Sequence, residues 1–245
     1  MSGLTTIEGY DEEVIAICPN DTAGEVLNIG GLFIGLPKTP KKLPGEGVEA
    51  DMQVWHRVSM PEELSRIRSM DEWAETPREF RERFRPYIEE EFRRRREGFW
   101  FYNKGVPTYI TGRHYMFLQW SKIDIGYPSY LDFQRKIFLH MAACEADPRC
   151  IGQLYTKCRR SGYTNICASV LLDEATQVKE KLLGIQSKTG KDAQENIFMK
   201  KVVPIFRSYP FFFKPIQDGT TNPRMELAFR EPSKRITKKN KTSLV

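Results

Sequence analysis

Residues 157–164 read Lys-Cys-Arg-Arg-Ser-Gly-Tyr-Thr, a basic loop that closes on a glycine and a hydroxyl. Those residue types suit the binding of a phosphate chain. A phosphate loop needs a strand, a tight turn and the start of a helix, because unpaired backbone N–H groups and the helix dipole then face the anion. The familiar spacing is G-x-x-x-x-G-K-[ST], in which the lysine reaches the β and γ phosphates and the hydroxyl binds magnesium. Here Lys157 stands in place of the first glycine and Tyr163 in place of the lysine. Gly162 offers a permissive backbone and Thr164 the magnesium hydroxyl, while Ser161, Tyr163 and Asn165 complete the turn. The missing positive charge falls to Lys157, Arg159 or Arg160, and an arginine fork matches phosphate oxygens well. The plain alternative is an ordinary basic turn between a strand and a helix.

Two other stretches imitate nucleotide chemistry. Gly184 to Asp192 contains Gly190-Lys191, but five residues separate its glycines and Asp192 falls where the hydroxyl belongs. A carboxylate there would face anionic phosphate, so the stretch reads as a turn in which Thr189 or Ser187 caps the next helix. Val170-Leu171-Leu172-Asp173-Glu174 resembles the acidic strand of an ATPase. It begins six residues after Thr164, too soon to finish a helix and return along a strand. It reads as helix, with Asp173 and Glu174 on the wet side.

The elements around the loop support that placement. Residues 151–156 are a strand candidate, and 164–181 have helical periodicity. Residues 181–187 read as a second short strand and 190–210 as a second long helix, disturbed near Pro204. This alternation predicts an α/β fold with a P-loop-type parallel sheet flanked by helices, incomplete at the C-terminus. Ahead of it, residues 129–232 being the core, the chain divides into an extended or loosely packed arm over 1–60 and a helical and hairpin region over 61–128. Within the latter, residues 61–75 look helical from Pro61 onward. Phe80, Phe84 and Phe92 share a helical face that Pro86 should kink or divide. Residues 99–111 form a hairpin around Asn103-Lys104-Gly105. The arginines of 78–97 read as a solvated face, since Glu79, Glu82, Glu89, Glu90, Glu91 and Glu97 nearly balance them. The tail 233–245 is basic and acid-free, and reads as mobile.

Composition sets the outer bounds. A hydrophobic content of 40% with 12% aromatic residues excludes wholesale disorder, and a net charge of +6 favours a polyanionic partner. Five scattered cysteines and three histidines form no zinc-ligand pattern. The acidic N-terminus is no signal peptide, and no run approaches the roughly 18 apolar residues of a membrane span. The expectation is a soluble intracellular protein with reduced thiols and no membrane partner.

Gly98 to Gly105, Pro107 to Tyr115, Lys157 to Thr164, Gln186 to Phe198 and Ser208 to Pro215, taken in this order and spacing, resemble the large terminase subunit of tailed bacteriophages. The likeness is to its divergent forms in phages of Bacteroidetes-type hosts, and covers roughly residues 55 to 235. It implies an ATPase, using ATP and Mg2+, that drives double-stranded DNA into a procapsid in the host cytoplasm. Portal protein and the small terminase subunit are the implied partners. It also implies an adenine contact upstream of the loop, at Gln134 or alternatively Gln119, and an early basic residue in the loop that accompanies or replaces the usual lysine. The family's Asp-Glu strand, coupling motif and nuclease domain would lie past Val245, so the expectation is the front half of a motor, completed by a further segment or a separate chain. The rival is a non-enzymatic basic DNA-binding or assembly module with a degenerate loop, using Arg93 to Arg96 and Lys238, Lys239 and Lys241.

Overall fold

A computed structural model describes residues 4–5, 13–18, 24–43 and 55–230. The chain forms two compact units, each discontinuous in sequence: Met1–His56, Arg93–Tyr115 and Ser129–Arg159 make the first, and Arg57–Phe92, Met116–Pro128 and Arg160–Val245 the second. Both helices and small sheets are present, so the class is mixed α/β.

In the first unit, β1 (Leu4–Thr5), β2 (Val14–Ala16), β3 (Val26–Ile29) and β4 (Leu32–Gly35) form a sheet in the order β1-β2-β4-β3. β2 and β4 run parallel, while β3 and β4 make a hairpin. Its turn is Gly30-Gly31, with φ of 62° and 88°, the left-handed pair that a two-residue hairpin requires. This corrects the expected loose arm. Gly30 and Gly31 are turn residues rather than marks of an open chain, and Ile15, Ile34, Leu36 and Leu43 are buried with Trp100, Tyr109, Leu139 and Ala143 in a single apolar cluster. The remaining partners come from the hairpin β5 (Phe99–Asn103) and β6 (Val106–Ile110), and from the helix spanning Asp132–Ala146. The hairpin turns at Lys104-Gly105 as its sequence predicts, with φ of 51° and 77°.

The second unit begins with α1 (Glu62–Ser65) and α2 (Met70–Glu75) rather than one helix over 61–75. Ser69 restarts the helix: its Oγ accepts from Glu72 N–H at 3.2 Å, and Glu72 reaches back to Arg68 N–H at 2.7 Å. α3 (Arg78–Glu97) runs through Pro86 without division. Proline removes one backbone bond from twenty residues, and aromatic packing outweighs the loss. Phe80 meets Trp73, and Phe92 meets Phe212 and Phe213, with ring centroids between 5.0 and 6.2 Å apart. α4 (Gly112–Trp120) follows, the residues of α3 and α4 being divided between the units, and α5 (Asp132–Ala146) is the helix of the first unit given above.

α6 (Tyr163–Ala175) is followed by a second helical run: α7 (Gly190–Asp192), a π-helical stretch over Ala193–Val202, and α8 (Val203–Ser208). The widened turns precede Pro204, whose ring would press on the carbonyl four residues back in regular helix. A short 3-10 turn (Phe211–Phe213) leads to the hairpin of β7 (Ile216–Asp218) and β8 (Ala228–Arg230).

Residues 151–156 and 181–187, expected as parallel strands, carry no ladder among the described residues. Apolar, β-prone sequence makes a strand only where another strand supplies the opposite hydrogen bonds. Ile151, Leu154 and Leu182 are accordingly more than nine-tenths exposed. The expected solvated face of α3 also needs correction, because Glu91 is buried. So does the basic run 93–96. On a helix four successive side chains point in four directions: Arg93 pairs with Glu97, Arg94 stacks on Phe99, Arg95 is buried and Arg96 is exposed. The tail 233–245, including Lys238, Lys239 and Lys241, lies outside the described residues. Among the described residues no helix is long and apolar enough to cross a membrane.

Candidate phosphate-binding loop

The backbone at the loop is unusual in a way its sequence explains. Arg159-Arg160 form a turn in which Arg160 has φ of 68°, and Gly162 follows with φ of 76°. Glycine takes the left-handed region freely, whereas for arginine it costs on the order of 1 kcal/mol. Gly162 is the N-cap of α6, and no side chain caps that end. Its carbonyl accepts from Asn165 N–H at 2.9 Å and Ile166 N–H at 3.2 Å. Two polar atoms in this turn, Ser161 Oγ and Asn165 Oδ1, are buried without a hydrogen-bond partner. A helix N-terminus with left-handed residues ahead of it is the backbone form that receives anions.

The charged residues of the loop are available. Lys157, Arg159 and Arg160 are exposed, and among the described residues no carboxylate pairs with them. The boundary between the units falls between Arg159 and Arg160. Tyr163 does not substitute for a lysine. Its hydroxyl meets the Cys167 thiol one turn along α6, and burial pushes its pKa up, so the phenol stays neutral. Thr164 is half-buried at the second position of α6. Among the described residues no three His, Cys, Asp or Glu side chains gather as a metal cluster. A magnesium ion carried by phosphates needs only one or two protein oxygens, and the Thr164 hydroxyl is of the right kind.

Both imitations have structural explanations. Thr189 Oγ accepts from Asp192 N–H at 3.1 Å, and the Asp192 carboxylate is engaged by Ser187 and by Asn196. These bonds hold the Asp192 pKa below its usual value, so it remains an anion where a phosphate would have to sit. Val170 to Glu174 are helical, as read. Asp173, however, is buried rather than wet, at 1% exposure, and accepts from Gln177 Nε2 at 2.7 Å. Its spacing from Ile166 and Ser169 places it on the inward face of α6, a signal the strand comparison obscured. Glu174 pairs with Lys181.

The two glutamines separate cleanly. Gln119 uses its side-chain amide to grip the backbone N–H and C=O of Val58, and its own carbonyl accepts from Arg57 Nε at 2.8 Å. Its amide is spent on structure, which removes the alternative base contact. Gln134, in α5 of the first unit, is 5% exposed, and its Oε1 is buried without a partner. It is an orphaned buried acceptor among the described residues. The sequence offered no signal for this burial, because Phe133 beside it is the exposed one.

Set against protein-family models, curated proteins and solved structures, the chain matches none.

Proposed function

We propose that this chain is the ATP-binding part of a viral DNA-packaging motor of the large-terminase kind. The observation that carries the reading is the turn at Arg160 to Asn165: two left-handed residues, an uncapped helix start, and buried orphan oxygens on Ser161 and Asn165. In this reading the backbone N–H groups from Arg160 to Thr164 cradle the phosphates of ATP, the Asn165 N–H being engaged by the Gly162 carbonyl. Thr164 binds Mg2+, and Lys157, Arg159 or Arg160 supplies the charge that Tyr163 lacks. Positive charge held at the transferring phosphoryl group is what lowers the barrier to hydrolysis.

The fold proposed with this function is the parallel sheet expected from the sequence. Residues 151–156 and 181–187 would each be recruited as a strand by strands from a further segment or chain, which would also bring the acidic catalytic pair. The exposure of Ile151, Leu154 and Leu182 supports this, since apolar side chains and unpaired backbone favour strand addition. Double-stranded DNA, portal protein and a small terminase subunit are the proposed partners, in the host cytoplasm.

A second reading, a non-enzymatic basic assembly module, draws on Tyr163, whose neutral phenol turned toward Cys167 leaves the usual lysine position without charge. Titration of a fluorescent ATP analogue with and without Mg2+ separates the two. The motor reading expects magnesium-dependent binding weakened about tenfold in Thr164→Ala, equivalent to about 1.4 kcal/mol. Absence of binding at millimolar analogue, together with DNA affinity that falls steeply with salt, would favour the assembly module.

A further inference from the structure

We propose that the second unit carries a separate site for a nucleotide, built from Arg57, Trp120 and Tyr127 for the base and from Arg68 and Lys214 for the phosphate. These five residues line one cavity of about 680 Å³, within the 300–1,000 Å³ range typical of small-molecule sites.

The base wall is preorganised. The Arg57 guanidinium lies 3.6 Å from the Tyr127 ring centroid and 5.9 Å from that of Trp120. Its Nε is fixed by the Gln119 carbonyl at 2.8 Å, and Gln119 in turn grips Val58 on the same strip of chain. A guanidinium seated over the Tyr127 ring keeps a further planar, cationic face, and such faces stack on nucleobases. Arg57 pays little entropy on binding because its rotamer is already set.

The charge is equally one-sided. Arg57, Arg68 and Lys214 have no carboxylate partner among the described residues. Glu62 is the only acid lining the cavity, and it pairs with Arg66 at 2.7 Å. Lys214 is half-buried, with Nζ donating to Arg207 O at 3.0 Å, and burial lowers its pKa. A partly desolvated ammonium with no counter-charge gains from an incoming phosphate. Cation and flat surface together define the ligand as a base bearing a phosphate, rather than a bare anion or a plain apolar molecule. The source is either a free nucleotide or one unit of a single strand.

The site does not rest on the phosphate loop, so its test is kept apart from that reading. The full-length chain is titrated with dTMP by calorimetry and with a labelled oligothymidylate by anisotropy. Binding should fall at least tenfold in R68Q/K214Q and in Tyr127→Leu, and stay unchanged in Thr164→Ala. Binding of both probes assigns the site to free nucleotides as well as strands, and oligothymidylate alone assigns it to strands. If neither probe binds at millimolar concentration, or if R68Q/K214Q binds like the parent, the proposal is overturned. Arg68 is exposed and its side chain makes no ion pair among the described residues, so Arg68→Glu alone preserves the test should the double variant fail to fold. A loss seen in Thr164→Ala but not at Arg68 would return the binding to the loop.

Discussion

The indole N–H of Trp120 donates to the Glu91 carboxylate at 2.8 Å, and Glu91 is only 2% exposed. A carboxyl group placed this deep is held by its partners. Replacing Glu91 by leucine leaves the indole without an acceptor and should destabilise the fold by about 1.5–3 kcal/mol in urea unfolding. Glu91→Gln, which keeps an acceptor, should cost less. Equal losses in the two variants would show that the bond to Trp120 contributes nothing.

Gly112 meets the end of α3 so closely that a Cβ there would lie 1.9 Å from the Arg95 carbonyl oxygen. Neither backbone can yield without moving a helix. Gly112→Ala should therefore destabilise by about 3 kcal/mol or more, measured by thermal unfolding. At Gly152 an added Cβ meets nothing within 4 Å, so Gly152→Ala should leave Tm unchanged. A normal Tm for Gly112→Ala would refute the close approach.

His114 is fully buried between Phe138 and Tyr130, with ring centroids 4.5 and 5.8 Å away. Burial, aided by the nearby Arg135 charge, lowers its pKa to about 3. The unfolded histidine titrates near 6.5, so below that pH the unfolded state binds the extra proton. Stability is full above about pH 6.5 and falls by about 1.4 kcal/mol per unit as the pH drops toward 3. His114→Phe should remove this slope from the parent's stability profile, leaving only the carboxylate contribution at lower pH. An unchanged slope between pH 6 and 4.5 would exclude His114 as its source.

Tyr163 stands where the phosphate-loop pattern has lysine, and its hydroxyl meets Cys167. If the loop receives phosphate, Tyr163→Lys should restore an ammonium there and tighten ATP-analogue binding about tenfold, since charge-assisted bonds to phosphate are the strong ones. Weaker binding, or none, would indicate that the helix start does not face a phosphate chain.

Short-range features were legible in the sequence. The turn at Lys104-Gly105, the Thr189 cap and the Pro204 disturbance each depend on residues within a few positions, and φ preference or a missing N–H sets them wherever the chain goes. The glycine and hydroxyl of the loop were equally visible, because Gly162 is the residue that can turn left-handed ahead of α6. Tertiary structure decided the rest. β2 pairs with β4 across an intervening strand, and Asp173, Glu91 and Gln134 are buried although their residue types usually face water. Arg57 reaches Trp120 and Tyr127 across more than sixty residues of sequence. Local propensity is a property of the chain itself, whereas burial, strand pairing and the meeting of distant side chains depend on which surfaces are brought together. Residues 151–156 mark the difference: they have a strand's composition, and among the described residues nothing supplies the hydrogen bonds that would make them one.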